Sequence, residues 1–171
     1  MNLTEAVMLV KAKPGRHREI FDTLQKKEGV RAIAMTTGPY DFVLFLKADN
    51  WGHMFDIIKS VRDPEGVTVT ITLPVHVSKG FAPARVSAII LTRVMRGDVD
   101  SVAENIYGRG KRINFSASVA GPYDVVLAIN EEYAKDNTEI SDIVIDKIQT
   151  FKEIKDTLTL TTGGKNFVST N

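Results

Sequence analysis

The chain has 171 residues, 43% of them hydrophobic, with 22 Lys and Arg against 21 Asp and Glu and no cysteine. This composition excludes a disordered chain. The missing cysteine excludes disulfides, thiolate metal sites, iron–sulfur clusters and cysteine nucleophiles. Residues 1–85 carry 12 basic and 9 acidic side chains, net +3, and residues 86–171 carry 10 and 12, net −2. Neither half has the basic excess of a nucleic-acid platform, so no direct nucleic-acid binding is expected. No apolar run approaches the roughly 20 residues of a membrane span, and the first residues lack the pattern of a signal peptide. A cytoplasmic protein with no membrane contact is the expectation.

In chain order, residues 5–11 form an apolar strand. After Pro14-Gly15 the spacing of Ile20, Phe21 and Leu24 predicts a helix that stops at Gly29. Residues 30–36 are a second strand, Gly38-Pro39-Tyr40-Asp41 a turn, and residues 42–47 a third strand. Met54, Phe55, Ile57, Ile58 and Val61 mark a second helix. Asp63-Pro64-Glu65-Gly66 then turns the chain into residues 67–73, where Thr alternates with apolar residues as in a half-buried or edge strand. Residues 74–85, with two Pro and one Gly, suit a connector. A strand follows at 88–92, then a helix marked by Val99, Val102, Ala103 and Ile106 with Asp98 as its N-cap. Gly121-Pro122-Tyr123-Asp124 is a second turn, residues 125–129 a strand, and Ile140, Ile143, Val144, Ile148 and Phe151 mark a last helix before a strand at 157–161.

The two Gly-Pro-Tyr-Asp turns lie 83 positions apart, and each precedes an apolar run. Residues 6–10 match 88–92 at an offset of 82, and 70–73 match 157–160 at 87, so the copies differ by short loop insertions. The sequence therefore divides into a first unit, 1–75, a linker, 76–85, a second unit, 86–163, and a flexible tail, 164–171. Each unit has the element order βαββαβ, which predicts an α+β protein of two tandem ferredoxin-like units. Residues 42–46 and 125–129 are apolar at every position, so both faces of those strands need cover. One sheet can cover the other. The expectation is two sheets packed face to face, as in a dimeric α/β barrel.

Chemistry is harder to place. His17, His53 and His76 have no ligand spacing, and neither a metal site nor a cofactor is expected. Nucleophile elbows, a Walker loop and the dinucleotide fingerprint are missing. Gly108-Arg109-Gly110-Lys111-Arg112 sits where a helix gives way to a strand, as a solvated turn would. Residues 40–45 overlap the aromatic signature of an RNA recognition motif, but Val125 and Ala128 stand in the second copy where the first has Phe42 and Phe45, and core packing accounts for the aromatics. The repeated turn has two readings. Gly, Pro and Asp are ordinary turn residues. Exposed amides, an aromatic wall and a carboxylate together can also bind a small zwitterion.

A strand ending in Lys13-Pro14-Gly15, a helix, Gly29-Val30, the run from Thr36 to Phe42 and a last strand of alternating Thr is similar to the effector-binding (RAM) domain of the Lrp/AsnC transcription regulators. The likeness extends over nearly the whole chain as two copies; in the second, Arg96-Gly97 and Val119-Ala120 replace Pro14-Gly15 and Thr36-Thr37. The resemblance implies a ferredoxin-like fold, dimerisation through the sheets, and an amino acid or similar small-molecule effector near the Gly-x-Tyr-Asp loop. By position it implies ligand contacts from Thr37, Gly38, Tyr40 and Asp41, and from Gly121, Tyr123 and Asp124. Full-length members of that family carry a DNA-reading helix-turn-helix domain; here the effector domain starts within five residues of Met1, so none is expected. The expectation is a stand-alone regulatory domain and not an enzyme, acting in transcriptional or metabolic regulation as a homo-oligomer or with a partner Lrp/AsnC-type regulator. The alternatives are a ligand-free oligomerisation module and a small dimeric α/β-barrel enzyme. For the enzyme, the sequence offers no matched acid, base or metal-ligand set.

Overall fold

Strands that are apolar at every position need cover on both faces, and three apolar layers supply it. A computed structural model describes residues 3–81, 83–163 and 166–170. Its first half contains β1 (Thr4–Ala12), α1 (His17–Leu24), β2 (Val30–Met35), β3 (Phe42–Ala48), α2 (Trp51–Arg62) and β4 (Val67–Lys79). Its second half contains β5 (Val86–Val94), α3 (Val99–Tyr107), β6 (Ile113–Val119), β7 (Val125–Asn130), α4 (Asn137–Ile143), β8 (Ile154–Thr161) and β9 (Phe167–Ser169). A π-helical turn, Val144–Ile148, extends α4. Helix starts follow the capping rules: Asn50 accepts from the His53 amide, Asp98 from the Asp100 amide, and Asp136 with Glu139 forms a capping box.

The protein is α+β, and among the described residues the strands form one nine-stranded antiparallel sheet of order β8-β5-β7-β6-β4-β1-β3-β2-β9. Strand alternation sorts the core. From β1, Ala6, Met8 and Val10 face the layer beneath α1 and α2, whereas Val7 and Leu9 face the middle layer. The middle layer joins Val43 and Phe45 of the first half to Leu91, Phe115 and Val126 of the second. The Phe45 and Phe115 rings meet edge-to-face at 5.0 Å between centroids. A third layer, with Ile90 and Leu127, lies beneath α3 and α4.

Two expected boundaries are different in the fold. β4 does not end at Leu73: it continues through Pro74, and Val75–Lys79 pair with β6. Residues 76–79, expected in the linker, are therefore strand. Pro74 stands where the strand leaves β1 for β6, and its carbonyl accepts from the Ala120 amide. The expected flexible tail also contains structure, because β9 pairs with residues 32–34 of β2 and the Thr170 amide donates to the Arg31 carbonyl. Gly164, Lys165 and Asn171 of that tail lie outside the described residues.

Each half's last strand thus reaches the other half, but in two ways. β4 runs without a break into its pairing with β6, whereas β8 ends at Thr161 and only β9 resumes the pairing with β2. Where the halves meet, Gly38 and Gly121 adopt φ of +127° and +132°, and a Cβ on them would lie 2.8 Å from Leu160 Cδ2 and Leu73 Cδ2. Gly38→Ala and Gly121→Ala are each expected to lose about 2–3 kcal/mol, combining backbone strain with overpacking. Gly15→Ala, at φ +86° with open space around it, is expected to lose only the backbone part, about 1 kcal/mol. Urea denaturation of the three variants checks the order.

Candidate functional site

The two repeated turns have the same local job. β1 and β5 each carry a register irregularity, at Lys11/Ala12 and at Arg93/Val94, which leaves one amide to be paired elsewhere. Asp41 Oδ2 accepts from the Ala12 amide and Asp124 Oδ2 from the Val94 amide, both at 2.8 Å. The aspartate main chains match as well: the Asp41 amide donates to the Val10 carbonyl and the Asp124 amide to the Thr92 carbonyl. Tyr40 and Tyr123 meet each other, with hydroxyls 3.4 Å apart and rings edge-to-face, and both pack on the middle layer. Burial, and then the hydrogen bond with Tyr40, push the Tyr123 hydroxyl up to about 12.

The halves diverge at the helix that faces the turn. α1 begins at His17, whose Nε2 lies 3.0 Å from Asp41 Oδ1, whereas α3 begins at Val99. The His17–Asp41 pair opens on a cleft of about 400 Å³. The first half supplies His17, Thr37 and Asp41, and the second supplies Ser87, Lys135 and Thr161. Thr37 bridges the halves, its amide donating to the Thr161 carbonyl at 3.0 Å and its hydroxyl lying 2.6 Å from that of Thr161. The cleft exists because β8 stops here: Thr162, Gly163 and Asn166 line it instead of continuing the ladder beside Met35 and Thr36. At the matching place in the second half, Val75 and Val77 of unbroken β4 pair with Val119 and Ser118. There Asp100 accepts from Ser118 and lies 2.8 Å from His76 Nδ1. The Ser118 and His76 hydrogen bonds hold the Asp100 carboxyl below its usual range, and Asp100 raises His76.

Of the residues singled out by sequence, Thr37 and Asp41 line the cleft, Tyr40 and Tyr123 form the pair between the halves, and Gly38 and Gly121 seat the opposing leucines. Asp124 caps its strand without a histidine at the facing helix start. His17, Ser87 and Lys135 were not singled out. The available signal was that His17 stands at the start of the first helix where Val99 stands at the start of the third. Ser87 is 4% exposed and its hydroxyl has no partner among the described residues. Among those residues no group of three His, Cys, Asp or Glu is placed to hold a metal ion, and no helix is long and apolar enough to cross a membrane.

No protein-family model matches the chain. It is similar to the HTH-type transcriptional regulator FL11 of Pyrococcus abyssi, with 32% identity over 74 residues, 42% of this chain and 49% of that protein. The chain thus spans about half the length of the curated relatives it matches. Among solved structures, the siroheme decarboxylase NirDL superposes on 94% of this chain and 71% of its own, at a TM-score of 0.68 and 12% identity. An anthrone oxidase-like protein covers 98% of this chain and 92% of its own, at a TM-score of 0.50 and 9% identity. Such identities establish likeness of fold. The expectation of a non-enzymatic, amino-acid-sensing regulatory domain is corrected, because the regulator likeness is confined to 74 residues, while over nearly the whole chain the fold is shared with a siroheme decarboxylase and an anthrone oxidase-like protein.

NirDL is also known in complex with an iron-uroporphyrin III analogue. The residues of this chain do not fit a haem-like group. Fully buried Phe45 and Phe115 fill the middle layer, and Phe81 packs on both rings. The one histidine lining the cleft has its Nε2 engaged by Asp41.

Asp41→Ala and Asp124→Ala each leave one strand amide unpaired, and each is expected to lose about 1–3 kcal/mol; denaturation curves of the two should agree to within about 1 kcal/mol. The folded state favours protonated Tyr123. Its contribution to stability is therefore complete below the ordinary value of 10 and is lost as pH rises toward 12. Ultraviolet titration should show a tyrosinate component near pH 12 that Tyr123→Phe removes.

Proposed function

We propose that the chain is an enzyme of dimeric α/β-barrel architecture, built from two copies of a ferredoxin-like βαββαβ unit at 1–75 and 86–163, which moves a proton on a small anionic substrate. Support for the two copies comes from the parallel strand orders β2-β3-β1-β4 and β6-β7-β5-β8, the paired Asp caps and the paired glycine–leucine contacts. The observation that carries the enzyme reading is the His17–Asp41 pair at 3.0 Å opening on a cleft between the halves. At about 400 Å³ the cleft is of a size for a small molecule.

Asp41 is fixed by the Ala12 amide on one oxygen and faces His17 Nε2 with the other. With Nε2–H donated to that carboxylate, the imidazole presents Nδ1 as a base and Asp41 stabilises the imidazolium that forms. Lys135 makes no ion pair among the described residues, and its ammonium is suited to the substrate's carboxylate. For a 2-oxo acid, Nδ1 takes a proton from the carbon beside the carbonyl, the C–H electron pair forms the enolate double bond, and the carbonyl oxygen takes the charge. The Thr37 hydroxyl lies on the cleft wall to receive it. Such acid–base assistance is worth about 10²–10⁴-fold in rate.

Deuterium uptake from D₂O by pyruvate, 2-oxobutyrate and 2-oxoglutarate, followed by proton NMR, tests the reading. Catalysed exchange with at least one of them is expected, with a loss of about 100-fold in His17→Ala and weaker saturation in Lys135→Ala. No exchange with any, or exchange unchanged by His17→Ala, rejects it. Saturable binding of iron-uroporphyrin III with shifts at the Thr37 and Ser87 amides would also overturn the small-substrate assignment.

A further inference from the structure

An unpaired strand edge lies on the first half, away from the cleft. Along Val67–Pro74 the strand β4 pairs with β1 on one side, and it joins β6 only from Val75 onward, so among the described residues the other side of Val67–Thr72 meets no strand. β8 holds the matching position in the second half, paired with β5 and standing at the end of the sheet. A bare edge offers its amides and carbonyls to any extended chain, and charged side chains are a common protection against that.

Only one of the two edges has the protection. The offset of 87 that aligns 70–73 with 157–160 sets Thr68 and Val69 against Lys155 and Asp156. On β8, Asp156 stands opposite Arg93 of β5 and accepts from its guanidinium with both oxygens. On β4 the same place is Val69 opposite Lys11 of β1, and Lys11 lies over the Tyr40 ring, 5.9 Å from its centroid. Val69 is 45% exposed, on a stretch with no charge and no proline from Val67 to Leu73. Both edges share a register irregularity, at Lys11/Ala12 and at Arg93/Val94, so charge is what separates them.

We infer that two molecules of this chain associate through this edge, Val69–Thr72 of one pairing antiparallel with Val69–Thr72 of the other about a two-fold axis. The same stretch is its own complement. Side chains alternate between faces and cross-strand neighbours share one, so Val69 and Ile71 meet apolar residues and Thr70 and Thr72 meet threonines. Pairing with the β8 edge would instead set Val69 and Thr68 against Lys155 and Asp156 and would leave the rows open at both ends. The charges near the contact do not oppose it. The two Lys11 residues stay three strand spacings apart, about 14 Å, beyond the roughly 10 Å over which exposed charges act at 0.1 M salt. Arg62, whose Nε donates to Thr70 Oγ1 at 2.8 Å, is the cation brought nearest its copy, and salt screens that pair.

Sedimentation of the intact chain from roughly 5 to 500 µM tests the inference, together with hydrogen exchange at the same concentrations. A reversible monomer–dimer equilibrium is expected that added salt does not weaken, with exchange at residues 67–72 slowing as concentration rises and exchange at 154–160 unchanged. Val69→Asp and Thr68→Lys place on this edge the charges that β8 carries, and each should weaken association at least about tenfold. Both positions are exposed, and unfolding curves of the variants separate lost association from lost fold. His17→Ala should associate as the unaltered chain does, so failure of the proton-transfer reading leaves this one standing. A chain that stays monomeric throughout, a dimer that neither substitution weakens, a dimer that salt dissolves, or protection that arises at 154–160 instead would each overturn it.

Discussion

The packing of the two halves' inner sheet faces against each other is the constraint from which the rest follows. β3 and β7 are buried along almost their whole length, so neither half could leave its inner face in water. Once the faces meet, the last strand of each half must cross to the other. Leu73 and Leu160, both fully buried, are carried by those strands onto the turns opposite, and each turn accepts its leucine only because the residue there lacks a Cβ. The repeated glycine is therefore a requirement of the contact between halves, in addition to being a turn residue.

The same constraint explains why the halves are chemically unequal. A crossing strand that runs straight, as β4 does, occupies the ladder beside Val119 and Ser118 and leaves little space. A crossing strand that stops and resumes, as β8 and β9 do, leaves a gap beside Met35 and Thr36, and the backbone pairing lost there is recovered by β9 farther along β2. The gap falls next to an aspartate already held by a strand amide and a histidine at a helix start. A carboxylate locked on one oxygen costs little further ordering to orient an imidazole with the other.

Much of this was legible in the sequence, and the exceptions share a cause. The apolar runs, the helix faces, the Asp98 cap and the repeated tetrapeptide all rest on local spacing, and they map onto β1, β3, β7, α1 to α4 and the two turns. What local spacing cannot show is a contact between residues far apart in the chain. Pro74 looked like the start of a connector because the new partner, β6, lies some 40 residues on. Phe167 looked like part of a tail because β2 lies more than 130 residues back. His17 was read only for metal-ligand spacing because nothing in its neighbourhood announces Asp41. The functional expectation failed for a related reason: the regulator likeness extends over 74 residues, whereas the arrangement of nearly the whole chain is shared with the solved structure of a siroheme decarboxylase.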